Sequence, residues 1–287
     1  MKDIPVSQRI IDIKKKRRIR RLRFVIIFVV LFLIIVGGLS FFSFHKKLTI
    51  NKVVVKGTSI IDPIDVTTRV EEQLKGKYYY LYSRANSFIY PQKKIYNDLI
   101  ETFPRIEELN IIREGFNILN INIKERLGSY LYCGSSIPEI ESEIGENCYF
   151  INNDGYIFDK APYFSGSVYF KYYLNIKDST LPLNQNILEQ DRFHEIVRFI
   201  DGIKLLGFEP VSLLILDDGT HNLYLDHDSM ATAPMILFRD DNDLENILNN
   251  LRTAMKKKEF SDEINSKYSS LLYIDLRFKS KVLYKFQ

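Results

Sequence analysis

The side chains able to do chemistry are few. Cys133 and Cys148 are the two cysteines among 287 residues. The stretch between them, with Gly134, Pro138 and Gly145, reads as a loop, and each cysteine abuts an aromatic-rich strand segment. If those segments are antiparallel neighbours, a disulfide closes the loop and contributes about 3 kcal/mol on the chain-entropy account. Two buried free thiols are the alternative. His221, Asp226, His227 and Asp228 carry imidazole and carboxylate groups that suit several metals. Their spacing follows no ligand pattern, and polar residues on the surface of a hairpin explain them better. Asp240 to Asp243 (DDND) opens like a calcium loop but lacks glycine at the sixth position and glutamate at the twelfth, so helix capping is expected instead. Ser43 and Lys46 match a serine–lysine spacing but fall before any expected fold, and read as coincidence. No Gly-x-Ser-x-Gly, phosphate loop or His-Glu-x-x-His occurs. The expectation is a protein without catalytic residues, metal or cofactor.

The elements around these residues begin with charge. Residues 1–23 hold ten Lys or Arg against two Asp, a local +8, whereas the chain as a whole is +4 and the remainder therefore −4. A nucleic-acid-binding domain keeps positive charge on a folded face, so no nucleic-acid partner is expected. Residues 24–44 contain no ionisable group and are dominated by Phe, Ile, Val and Leu. As a helix they extend roughly 30 Å, the thickness of a bilayer core. Lys and Arg crowd the N-terminal flank (Lys14 to Arg23) and only Lys46 and Lys47 follow, which orients the N-terminus to the cytoplasm. Gly38-Leu39-Ser40 would suit a signal peptidase, but the apolar run continues through Phe44 and the charged leader is long, so an uncleaved anchor is expected. The basic tail also attracts anionic membrane lipid, by about 1 kcal/mol per positive side chain.

Beyond the anchor the pattern turns globular. Leu48 to Gly57 reads as a strand. Asp62 and Pro63 open a helix with Val66, Val70 and Leu74 on one face, and a second helix carries Ile95, Leu99 and Phe103 up to Pro104. Tyr78 to Tyr90 between them reads as a loop. Leu109 to Arg113 and Ile118 to Glu125 read as strands turned at Gly115, giving strand, helix, helix, strand, strand. From Leu127 onward come hairpins turned at Asp154-Gly155 and Asp218-Gly219 and helices over Asp191–Leu206 and Asp243–Lys258. The close is "LLYIDLRFKSKVLYKFQ", in which Leu272, Ile274, Leu276 and Phe278 alternate as in a half-buried strand, followed by a last strand. The fold class is α+β: an N-terminal transmembrane helix, a β-α-α-β-β domain, then a mainly antiparallel β domain with flanking helices. The boundaries are a basic tail over 1–23, the span over 24–44, and domains over 48–126 and 127–287.

Val-x-Val-x-Gly ending at Gly57, Phe103-Pro104, and "INIKER" (Ile121 to Arg126) resemble a POTRA (polypeptide-transport-associated) domain. "YFINNDGYIF" and "YIDLRF" (Tyr273 to Phe278) resemble two stretches of the bacterial cell-division proteins FtsQ and DivIB. The likeness runs from the basic tail to the last strand, although Asn152 stands where that family often has Asp and no Trp follows the final strand. The resemblance implies a bitopic scaffold in the cytoplasmic membrane at the division septum, recruiting FtsB-like and FtsL-like bitopic partners. It further implies that the last strand of the β domain is extended by a strand from the FtsB-like partner. An open edge strand invites such pairing. The expected contact residues are Phe278, Val282, Leu283, Tyr284 and Phe286, with Val282, Tyr284 and Phe286 on one face and Leu283 and Lys285 on the other. A proline at Leu283 would delete a ladder donor if that N–H points outward. The competing classes are a POTRA-bearing secretion or transport component and a membrane-anchored cell-wall enzyme.

Overall fold

A computed structural model of the chain describes residues 8–138, 147–164, 167–176, 181–227, 233–278 and 280–287, with side chains from residue 17 onward. It is an α+β protein with a long apolar N-terminal helix and a large mixed sheet, divided into two compact units, Met1–Glu125 and Arg126–Gln287.

Helix α1 (Gln8–Ser43) contains one stretch, Arg17–Ser43, long and apolar enough to cross a membrane. From residue 17 on, its Phe, Ile, Val and Leu side chains other than the half-buried Val36 stand exposed, unlike those of a core helix, which hide one stripe. Strand β1 (Lys52–Lys56) ends at Gly57, where φ is +85° and the Ile123 carbonyl approaches so closely that a Cβ would collide with it. Helix α2 (Pro63–Leu74) starts as its sequence dictates: the Asp62 carboxylate accepts the Ile64 N–H at 2.8 Å, and Val66, Val70 and Leu74 are buried. Tyr78 to Tyr90 is not all loop, because β2 (Lys77–Tyr78) and β3 (Tyr82–Ser83) pair as a small ribbon. Helix α3 (Gln92–Thr102) buries Ile95 and Leu99. Strands β4 (Ile106–Glu114) and β5 (Ile118–Glu125) complete a sheet ordered β1-β5-β4, with β1 parallel and β4 antiparallel to β5. Leu119, Ile121 and Ile123 alternate onto the core under α2 and α3.

The second unit comprises β6 (Tyr130–Tyr132), β7 (Tyr149–Ile151), β8 (Tyr156–Lys160), β9 (Lys171–Leu174), β10 (Gln185–Asn186), α4 (Gln190–Lys204), β11 (Pro210–Ile215), β12 (Thr220–Leu225), β13 (Met235–Arg239), α5 (Leu244–Met255), α6 (Lys258–Ser266), β14 (Leu271–Asp275) and β15 (Leu283–Phe286). Ten strands form one sheet in the order β10-β8-β7-β6-β9-β11-β12-β13-β14-β15. The sheet is mixed but mainly antiparallel, as expected: among the described residues six of its nine strand pairings are antiparallel. β6–β9, β9–β11 and β13–β14 are parallel. The last two pairs follow from chain returns through α4 and through α5–α6, since a parallel neighbour needs a crossover. Among the described residues three helices, not two, supply the covering layer. Phe193, Ile196, Phe199 and Ile203 of α4, Leu244, Ile247 and Leu251 of α5, and Ile264 of α6 pack with Leu213, Leu223, Ile236 and Ile274 of the sheet.

Candidate functional site

Strand β14 departs from the simple alternation read in the sequence. Leu271 pairs with Phe286 and Tyr273 with Lys285, so Leu272 is an extra residue in a bulge. Leu271, Ile274 and Leu276 are buried, and Leu272 only partly. Phe278 lies beyond the end of the strand and is 51% exposed. Just before it, Asp275 and Arg277 form a closed fork. Arg277 Nε donates to Asp275 Oδ1 at 2.9 Å, its terminal nitrogen to Oδ2 at 2.7 Å, and its backbone N–H to Oδ1 at 3.0 Å. Burial pushes the Asp275 carboxyl up, but the hydrogen bonds and charge of Arg277 outweigh it and hold the pKa below the ordinary value. The charged pair of "YIDLRF" is thus satisfied internally, and the aromatic that follows is left outside.

Strand β15 is the last strand of the sheet, paired on one side to β14 and on the other to no strand among the described residues. Its backbone direction is fixed by two hydrogen bonds. The Gln287 N–H donates to the Ser270 carbonyl at 2.8 Å, and the Leu276 N–H to the Leu237 carbonyl of β13 at 2.8 Å. Alternation then turns the N–H and C=O groups of Leu283 and Lys285 toward β14, and those of Tyr284 and Phe286 toward the open side. Leu283 therefore has an inward N–H, and the outward donors belong to Tyr284 and Phe286.

The side chains divide by face. Val282, just ahead of the strand, and Phe286 are partly buried at the rim of the main core. Tyr284 lies edge-on to Phe260 of α6 with centroids 5.1 Å apart, and its hydroxyl donates to Glu263 Oε2 at 2.8 Å. That hydrogen bond raises the Tyr284 pKa, while Lys267 and then Tyr284 lower that of Glu263. Leu283, on the opposite face, is 45% exposed and has no such cover. Sequence reading missed the roles of Phe260 and Glu263 because α6 lacks a side-chain N-cap to announce it.

Cys133 and Cys148 are joined in a disulfide that lies next to the β6–β7 pairing, one step beyond Tyr132 and Tyr149. Gly145 of the intervening segment falls outside the described residues, as does Asp228. The remaining polar candidates serve the fold. Asp243 caps α5, accepting the Asn246 N–H at 3.1 Å. Ser43 is buried, its Oγ accepts the Ser83 N–H at 2.9 Å, and its carbonyl accepts the Asn86 amide, so it ties α1 to the first unit rather than preceding the fold. His221 corrects the expectation of a surface residue: it is fully buried on β12, edge-on to Phe238, with Nε2 2.9 Å from Asp240 Oδ1. Among the described residues no three His, Cys, Asp or Glu side chains converge. No protein-family model matches the chain, and no curated protein matches it in sequence.

Proposed function

We propose that this chain is a bitopic scaffold of the bacterial division machinery, without catalysis of its own. Its N-terminus is cytoplasmic, α1 stays in the membrane, and both folded units lie outside the cytoplasm. There the second unit takes a strand from an FtsB-like partner, with an FtsL-like protein in the same assembly, at the septum. The observation that carries this reading is β15: an edge strand with the backbone groups of Tyr284 and Phe286 turned outward and Leu283 exposed. Natural proteins blunt such edges unless pairing is wanted, and strand addition uses these free groups for affinity and the flanking side chains for selection. The POTRA-like motifs of the first unit and the FtsQ/DivIB-like stretches of the second support it. So does the helix long enough to span a bilayer. Phe278 and Leu283 are the side chains free to meet the partner, while Val282, Tyr284 and Phe286 hold the strand in place.

Two prolines test the edge in the full chain with the FtsB-like protein of the same genome. Tyr284→Pro removes an outward donor together with the ring and hydroxyl that meet Phe260 and Glu263. Tyr284→Ala, which loses the same contacts but keeps the N–H, is its reference. Affinity should fall at least about tenfold below that of Tyr284→Ala, the worth of one hydrogen bond or more, at similar melting. Leu283→Pro removes an inward donor and should lower melting as β15 detaches. Unchanged affinity for Tyr284→Pro relative to Tyr284→Ala places the interface elsewhere. A fluorescent fusion that marks the whole periphery of dividing cells, with no mid-cell band, overturns the septal assignment.

A further inference from the structure

The tip of the β2–β3 ribbon has an unusual backbone. The Leu81 N–H donates to the Tyr78 carbonyl at 2.9 Å, closing a four-residue turn whose two central residues, Tyr79 and Tyr80, both have positive φ, 48° and 64°. Turns of that hand favour Asn-Gly, because only residues without a bulky Cβ substituent adopt them at low cost. Two tyrosines there are a strained choice, and they bring nothing to packing: Tyr79 is 88% and Tyr80 93% exposed. Strain of this kind persists where it serves a function.

The position of the tip indicates which. Ser40 Oγ of α1 donates to the Leu81 carbonyl, and Ser43 accepts the Ser83 N–H, so the ribbon is fastened along the last turn of the helix. Ser40 lies inside the uncharged run, four residues before its end at Phe44, or about 6 Å back along the axis toward its middle. The tip thus reaches back beside a segment apolar enough for lipid. Phe88 and Ile89 are exposed on the adjoining loop, and Leu39 and Phe42 of α1 share a hollow with them. Lys77 sits over the Phe44 ring at 5.1 Å, and Lys46 and Lys47 stand at the helix exit. An apolar edge rimmed with tyrosine hydroxyls and lysines is the composition of the bilayer's headgroup boundary.

We infer that the Tyr79–Tyr80 tip, with Leu81 and Phe88, is a second membrane contact, seated in the headgroup region of the bilayer that α1 crosses. It seats the first unit on the lipid surface, adding lipid contact to the hydrogen bonds by which Ser40 and Ser43 fasten the ribbon to α1. The inference rests on α1 being a membrane anchor, and the test separates the two.

The chain contains no tryptophan, so each engineered Trp reports alone. Full-length Tyr80→Trp, Phe28→Trp and Tyr96→Trp are reconstituted in phosphatidylcholine–phosphatidylglycerol vesicles containing lipids brominated near the headgroup or deep in the acyl chain. Phe28 is in the anchor and Tyr96 is an exposed position on α3. The expected result is a blue shift of Tyr80→Trp relative to Tyr96→Trp, with quenching by shallow bromines exceeding that by deep ones, and quenching of Phe28→Trp as a residue of the anchor. Phe88→Trp repeats the reading on the neighbouring loop should Tyr80→Trp disturb the turn. If Phe28→Trp is quenched while Tyr80→Trp and Phe88→Trp emit like Tyr96→Trp, the tip is in water and the inference is wrong. If Phe28→Trp is not quenched, the anchor reading falls and takes the inference with it.

Discussion

Single residues in this protein carry consequences that their type alone does not reveal, and His221 is the clearest. Burial pushes its pKa from the usual 6.5 down to about 4, with the Asp240 charge opposing and Arg192 of α4 assisting. The folded form therefore holds a neutral imidazole where the unfolded chain is protonated. Stability is fully present above pH 6.5 and is lost as pH falls toward 4, by about 3 kcal/mol in all. We expect the melting temperature of the full chain to drop across that window, and His221→Leu to flatten the difference while other carboxylate effects remain. Equal acid slopes for both proteins would show that His221 does not titrate as described. Gly57 is another such residue. With φ at +85° and the Ile123 carbonyl against it, Gly57→Ala should cost at least about 2 kcal/mol, seen as a lower urea midpoint. The Val-x-Val-x-Gly and "INIKER" motifs meet here physically, for Glu125 also accepts the N–H groups of Ser59, Ile60 and Ile61 at 2.7 to 3.1 Å and so fastens the end of β5 to the loop after Gly57.

Elements that announce themselves locally were legible in the sequence. Asp62 and Asp243 mark α2 and α5 because a cap is a contact within one turn, and Gly155 and Gly219 mark hairpins because both occupy φ near +80°. The elements that were missed depend on distant partners. Strands β9, β10 and β13 run two to five residues, too short for a period to show, and exist through their neighbours in the sheet. The bulge at Leu272 was equally hidden, since nothing in "LLYIDL" distinguishes a strand that shifts phase from one that does not. At the candidate edge the sequence supplied the residues and their faces, but the direction of each N–H required the hydrogen bonds of Gln287 and Leu276, and with these the condition set for a proline at Leu283, an outward N–H, is not met. The Cys133–Cys148 bridge belongs to this scale because it closes a loop between β6 and β7. Reduction should destabilise the second unit by about 3 kcal/mol. The check is the urea midpoint with and without reductant, compared with a Cys133→Ala, Cys148→Ala double variant. A reductant effect that persists in the variant would detach it from the bridge.

At the scale of the whole molecule, charge and redox chemistry can be made to report on each other. The tail over 1–23 carries +8 and the other 264 residues −4, so the positive side chains that bias insertion sit almost wholly ahead of the apolar run. If the second unit is extracytoplasmic, its disulfide forms in an oxidising compartment; if it were cytoplasmic, glutathione and thioredoxin would keep the thiols reduced. Replacing Lys14, Lys15, Lys16, Arg17, Arg18, Arg20, Arg21 and Arg23 with Gln removes the bias while leaving every residue from Phe24 onward unchanged. Lys46 and Lys47 then become the nearer cluster and favour the inverted insertion. We expect the wild-type chain, isolated without reductant and denatured, to give no thiol labelling, and the Gln-substituted chain to give a fraction labelled at both Cys133 and Cys148, equal to the fraction inverted. Protease protection of the second unit in sealed inverted vesicles supplies an independent count of the same populations. Full labelling of the wild-type chain would put the second unit in the cytoplasm and remove the basis for a septal partner there. Labelling that stays at zero in the substituted chain, with protease counts unchanged, would mean that the folded units and not the basic tail set the orientation.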